Sequence, residues 1–284
     1  MNELVWLNGE IHLLSEARVS VEDRGFQFAD GVYEVVRLYG GRAFTLDAHL
    51  ERLEKSAAGI ELSVPLDREA LAREIERLVA QSGVGDGMVY VQLTRGVAPR
   101  NHHFPQSASN TLLFYARPLP APPEPGTGAG AKLVTVADER WKRCWIKSIA
   151  LLPNVLAKNQ AAAAGADEAV FVEDGLVSEC SSSNFYVMID GTLVTCPVGP
   201  KVLPGITRAV LIECAKELGM AVEERAPKEV ECRRAQEMFI SSTTREVSWV
   251  EQWDGRVVGN GRCGEVTARL HRALRERIAR EVGA

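Results

Sequence analysis

Short apolar, β-branched stretches alternate along the chain with longer stretches carrying a helical stripe. Leu4–Leu7 and Glu10–Leu13 flank Asn8-Gly9, a dipeptide that favours a two-residue hairpin turn. Val32–Tyr39 is rich in β-branched and aromatic residues and ends at Gly40-Gly41, which predicts a strand and a turn. Leu46, His49, Leu50 and Leu53 share one helical face, predicting a helix from Leu46 to about Ile60 that Thr45 caps. Asp67 can cap a second helix, with Leu71, Ile75, Leu78 and Val79 on one side and Gly83 as its stop. Met88–Thr94 and Thr111–Ala116 read as strands. Further on, strands are expected near Lys132–Val136, Ala169–Val172, Asn184–Ile189 and Met238–Ile240. Helices are expected near Val155–Ala164, Ile206–Leu218 and Glu265–Val282. No internal repeat is seen. Strands and helices mix without regular βαβ spacing, which predicts the α+β class.

Prolines give way to glycines from Arg117 to Gly130. Proline removes backbone donors and stiffens the chain, and glycine loosens it, so this stretch reads as a linker. The expected organisation is an N-terminal α+β domain over 1–118, a linker over 119–130 and a C-terminal domain over 131–284.

Composition narrows the function classes. With 284 residues, 46% hydrophobic and 25% charged, the chain is an ordinary globular one and neither disordered, collagen-like nor a coiled coil. A net charge of −5 supplies no basic footprint for nucleic acid, so no nucleic-acid partner is expected. No apolar run reaches the roughly 18 residues of a membrane span, and no membrane partner is expected. Met1-Asn2-Glu3-Leu4 shows no basic patch or apolar segment of a secretory leader. Cysteines at 144, 180, 196, 214, 232 and 263 form no C-x-x-C pair. They read as free thiols in a reducing, cytoplasmic setting, and no metal is expected. There are only 8 lysines against 25 arginines, so chemistry needing an amine has few candidates.

Lys147 is the one that differs from its peers. It is the only charge in the apolar run Cys144–Leu152. A snorkelling lysine at a strand edge is the ordinary reading. Apolar surroundings, however, disfavour an ammonium and favour the neutral, nucleophilic amine of an imine-forming lysine. Glu179 lies in Val177-Ser178-Glu179-Cys180-Ser181-Ser182-Ser183-Asn184, a polar turn feeding an apolar strand. Such a turn is usually surface, yet a carboxylate there can hold a ring nitrogen protonated. Leu203-Pro204-Gly205-Ile206-Thr207-Arg208 opens a helix whose first N–H groups can bind a phosphate. Ser241-Ser242-Thr243-Thr244 places hydroxyls at a strand exit. Together these are the parts of a pyridoxal 5'-phosphate site: an amine, a partner for the pyridine nitrogen and a phosphate cradle.

These motifs, with Glu22-Asp23-Arg24-Gly25-Phe26-Gln27-Phe28-Ala29-Asp30-Gly31-Val32-Tyr33-Glu34 and His49-Leu50-Glu51-Arg52-Leu53, resemble the fold-type IV (class IV) pyridoxal-phosphate aminotransferases over nearly the whole chain. The resemblance implies a two-domain fold of a smaller N-terminal and a larger C-terminal domain. It implies that Lys147 forms the imine and that Glu179 pairs with the pyridine nitrogen. It implies that Arg52, Ile206, Thr207 and Thr243 hold the phosphate with Ser242 near it, that Leu203 packs on the ring and that Ser182 sits close by. Arg100-Asn101-His102 resembles the Arg-x-His segment of D-amino-acid transaminases. There the arginine, the histidine and the tyrosine matching Tyr33 trap the substrate carboxylate, in a loop that reaches the neighbouring subunit of a homodimer.

The implied reaction is transamination of a D-alanine-like amino acid with a 2-oxo acid such as 2-oxoglutarate. An R-selective or broad-range amine transaminase is the alternative, followed by a branched-chain L-amino-acid aminotransferase or an aminodeoxychorismate lyase. Cys180 departs from the glycine common in the D-amino-acid enzymes, and His103 adds a second imidazole; both bear on substrate range.

Overall fold

The computed structural model describes residues 3–283; Met1 and Asn2 of the N-terminal stretch read above lie outside the described residues. The chain divides into two units. The first comprises the described residues of Met1–Ala121, Ile146–Ala150 and Arg280–Ala284, and the second comprises Pro122–Trp145 and Leu151–Ala279. The Pro/Gly stretch therefore spans the boundary. The segment carrying Lys147 belongs to the first unit, so the domain expected over 131–284 is interrupted there.

The first unit contains β1 (Leu4–Leu7), β2 (Glu10–Leu13), α1 (Arg24–Phe28), β3 (Gly31–Tyr39), β4 (Arg42–Ala43), α2 (Leu46–Gly59), α3 (Arg68–Ser82), β5 (Gly87–Thr94) and β6 (Thr111–Pro118). Its sheet has the order β2-β1-β6-β5-β3-β4, and the pairings are antiparallel. Period-two alternation gives each strand one apolar face. Val32, Val36, Val89, Val91, Leu93 and Phe114 are buried, as are Leu50, Leu53 and Ala57 of α2 and Leu71, Ile75 and Leu78 of α3. The turn between β1 and β2 has Asn8 at φ 50° and Gly9 at φ 107°, as an Asn-Gly hairpin requires. Asp67 caps α3 by accepting from the Ala70 N–H at 2.7 Å. Thr45 does not cap α2 with its side chain. It sits in the left-handed region at φ 52°, and its hydroxyl donates to the Phe44 carbonyl instead.

The second unit contains β7 (Ala131–Ala137), α4 (Leu152–Ala163), β8 (Glu168–Glu173), β9 (Leu176–Cys180), β10 (Asn184–Ile189), β11 (Thr192–Thr195), α5 (Ile206–Glu217), β12 (Val222–Glu224), α6 (Glu229–Cys232), β13 (Met238–Ser242), β14 (Glu246–Trp253), β15 (Arg256–Val257) and α7 (Glu265–Val282). The last residues of α7 fall in the first unit. The strand order is β12-β11-β10-β13-β14-β7-β8-β9, with β15 on β14. Pairings β11–β12, β14–β7 and β7–β8 are parallel, and the others are antiparallel. Val170, Val177, Phe185, Val187, Ile240 and Trp253 form its apolar core. Two antiparallel-rich sheets with helices packed on them make the architecture α+β.

Candidate active site

In the first unit the Lys147 segment docks on β3 through an isolated antiparallel bridge, Ser148 opposite Val32. The Tyr33 N–H donates to the Lys147 carbonyl at 2.9 Å, and the Ile149 N–H to the Gly31 carbonyl at 3.1 Å. Ser56 of α2 accepts from the Lys147 N–H at 3.1 Å. The backbone on both sides of the amine is thus fixed. Its Nζ lies 4.3 Å from the centre of the Tyr33 ring. Gly31 is obligatory for this docking, because a Cβ there would stand 2.6 Å from the Leu93 carbonyl oxygen and 3.0 Å from Ile149.

Strand alternation sends Glu34 to the face opposite Tyr33. There it is fully buried and meets two residues of α2. Arg52 donates to its two oxygens at 2.7 and 2.8 Å, and His49 Nδ1 is 2.8 Å from Oε2. His49 and Arg52 are three apart in sequence and so share a helix face. Burial works against the Glu34 charge, but Arg52 and His49 outweigh it and hold the carboxyl down at about 2. Burial pushes the His49 imidazole down, against the pull of Glu34. Arg52, expected at the phosphate, therefore has its guanidinium oriented by Glu34. The pair contributes stability above pH 4.5 that is lost as pH falls through about 2. Glu34→Gln is expected to lose roughly 3 kcal/mol at neutral pH. Chemical denaturation should show that deficit shrinking as the pH is lowered towards 2.

The Arg100–His102 loop is exposed but anchored. Arg24, itself buried, donates to the Asn101 carbonyl at 2.5 Å and the His103 carbonyl at 3.4 Å. Asp30 links Arg24 to Arg95, and Arg95 lies 3.7 Å under the Phe104 ring. Arg100 covers one side of Phe28 at 4.4 Å, and His102 tilts against the same ring at 5.4 Å. The structure thus brings Arg100 and His102 together around Phe28. His103 is exposed, and its N–H donates to Asn101 Oδ1.

In the second unit Glu179 is buried at the end of β9. Its carboxylate accepts from Arg140 Nη1 at 2.5 Å, Asn184 Nδ2 at 3.1 Å and the Leu203 N–H at 3.1 Å. Burial pushes its carboxyl up to about 7, against the opposing pull of Arg140. Arg140 also donates to Asp138 and the Lys201 carbonyl and stacks on Phe171 at 4.0 Å. Sequence reasoning missed Arg140. Its signal was the Asp138-Glu139-Arg140 triplet just past a strand, which looks like any solvated turn.

Asn184 connects Glu179 to the start of α5. It donates to the Leu203 carbonyl at 3.1 Å, and a Cβ on Gly205 would fall 2.0 Å from its Oδ1. Gly205 caps α5 without a side chain, so no side-chain acceptor competes for the N–H groups of Ile206 and Thr207. β10 begins at Asn184, which pairs with Ser241 of β13. The Ser242–Thr243 hydroxyls therefore emerge at the same sheet end as Asn184. Ser182 is exposed, and its hydroxyl and N–H both donate to the buried Glu168. Cys180 does not face the site: its side chain packs into the second unit's apolar core.

These groups fit pyridoxal phosphate in kind. The first unit supplies an amine with a fixed backbone. The second supplies a buried carboxylate for a basic ring nitrogen, beside an uncapped helix start and a hydroxyl pair suited to an anion. The family model Amino-transferase class IV matches residues 31–253. The chain is a class IV aminotransferase. It is 43% identical over 282 residues to the D-alanine aminotransferase of Listeria monocytogenes serotype 1/2a (strain 10403S), covering 98% of this chain and 97% of that one. It is 42% identical over 277 residues to the D-alanine aminotransferase of Bacillus licheniformis, covering 98% of each. Among solved structures, the branched-chain amino acid aminotransferase of Escherichia coli superposes with a TM-score of 0.90. That match is 26% identical and covers 98% of this chain and 95% of that one. This class IV enzyme is pyridoxal-phosphate-dependent, as its family is.

Proposed function

We propose that the enzyme transaminates D-alanine-like D-amino acids with a 2-oxo acid such as 2-oxoglutarate. The observation that carries this reading is the end-to-end similarity to D-alanine aminotransferases. The Arg100–His102 pair set around Phe28 adds to it. The cofactor supplies an aldehyde for imine formation and an electron-accepting ring. Lys147 provides the amine that links to it. The same Lys147 amine would serve as acid and base, taking up the proton that leaves the substrate Cα and giving it back. Glu179, flanked by Arg140, holds the proton at the pyridine nitrogen. Ile206, Thr207, Ser242, Thr243 and the Glu34-oriented Arg52 bind the phosphate, with Leu203 against the ring and Ser182 beside it. Arg100, His102 and Tyr33 bind the substrate carboxylate, a guanidinium matching it in bidentate fashion.

Arg100→Ala is expected to raise the KM for D-alanine roughly tenfold to a hundredfold. The KM for R-phenylethylamine, which has no carboxylate, should change little. Equal effects on both substrates would remove Arg100 from the trap.

The enzyme works as a homodimer whose Arg100 loop serves the neighbouring subunit, a reading supported by the loop's anchored yet exposed placement. Sedimentation at twice the chain mass is the expected result, and a monomer would contradict it. A cytoplasmic location accords with six free cysteines; cell fractionation checks it. Among the described residues, no helix is long and apolar enough to cross a membrane.

A further inference from the structure

Glu246 has φ 58°, in the left-handed region that favours glycine. It pairs with Ser242 across the hairpin joining β13 to β14, with Thr243, Thr244 and Arg245 as the loop. Three-residue hairpin loops commonly close on a residue in this conformation, and glycine is its natural occupant. Here a glutamate takes the position with only 1% of its surface exposed. His271 Nε2 lies 2.9 Å from its Oε2, and Arg275 Nε donates to the same oxygen. His271 and Arg275 are four apart on α7 and present one face. Arg275 continues to the Pro122 carbonyl at 3.1 Å. A strained backbone and a buried charge coexist only where surrounding contacts over-determine them. The backbone alone would prefer glycine, so the side chain is what this position selects.

We propose that Glu246 is a positioning residue, a strut fastening the Ser242–Thr243 turn to α7 and thereby setting the grip on the cofactor phosphate. The proposal rests on the reading of Thr243 as a phosphate contact. Glu246→Gly relieves the backbone and removes the strut. Cofactor-free protein is titrated with pyridoxal phosphate and, separately, with pyridoxal, which lacks the phosphate. Absorbance of the imine with Lys147 reports binding. Glu246→Gly should raise the Kd for pyridoxal phosphate by about tenfold and that for pyridoxal by less than about twofold. Arg275→Met, at the more exposed end of the strut, should shift pyridoxal phosphate alone by about threefold, and it decides the matter if the glycine variant does not fold. Thr243→Val tests the underlying reading. Should it weaken both ligands equally or neither, the phosphate assignment falls and the strut with it. Should it act on pyridoxal phosphate alone while the strut variants weaken both ligands alike or neither, the strut is overturned and the phosphate assignment stands.

Discussion

Lys147→Ala is expected to abolish the yellow imine absorbance and to lower kcat by at least about a thousandfold. The size of the effect follows from two duties resting on one nitrogen. On the proposed reading Lys147 is both the amine that would link to the cofactor and the base that would move the proton. Its backbone is bonded on both sides, to Tyr33 and to Ser56. Alanine keeps those main-chain bonds, so the variant should fold and bind the cofactor non-covalently. Added methylamine should then restore part of the turnover, because a free amine can take over the proton transfer. Undiminished turnover in the alanine variant would rule out this lysine as the reacting amine.

Glu179→Gln is expected to lower kcat by about a hundredfold or more, with little change in KM. An amide keeps the shape and the bonds from Asn184 and the Leu203 N–H. It loses the negative charge that, on the proposed reading, would hold a proton at the ring nitrogen. The cofactor-free protein offers a second readout of opposite sign. Burial raises the Glu179 carboxyl from 4.5 to about 7. Its stabilising contribution is therefore complete below pH 4.5 and is lost as pH rises through about 7. As pH rises from 4.5 through about 7, the melting temperature of the parent should fall relative to that of the glutamine variant. A glutamine variant that lost ground to the parent as pH rose through that window would contradict the account of Glu179 as a buried, costly charge.

Much of this was legible in the sequence where one local signal dominated. Asn8-Gly9 gave away the first hairpin, and the helix expected near Glu265–Val282 coincides with α7. The long first-unit strands lie where β-branched residues cluster. β14 was hidden because Glu246-Val247-Ser248-Trp249-Val250-Glu251-Gln252-Trp253 breaks strict alternation. It is a strand flanked by β13 and β7, and a bulge interrupts its pairing near Val250. Tertiary pairing decides such a segment. Thr45 has a capping side chain, but its left-handed backbone turns the hydroxyl to the Phe44 carbonyl. Each candidate residue showed in its motif, whereas its support came from far along the chain. Glu34 steers Arg52 from 18 residues away, Arg140 reaches Glu179 across 39, and Glu246 meets His271 across 25. Partnerships of that span depend on sheet order, which no local pattern encodes.

The most direct test is the near-ultraviolet and visible spectrum of the cofactor-loaded protein before and after one addition of D-alanine, with no 2-oxo acid present. A yellow protein that bleaches, releasing about one pyruvate per chain, is the predicted result, and L-alanine should leave the colour unchanged. A protein that stays yellow with D-alanine and bleaches with L-leucine would contradict the account.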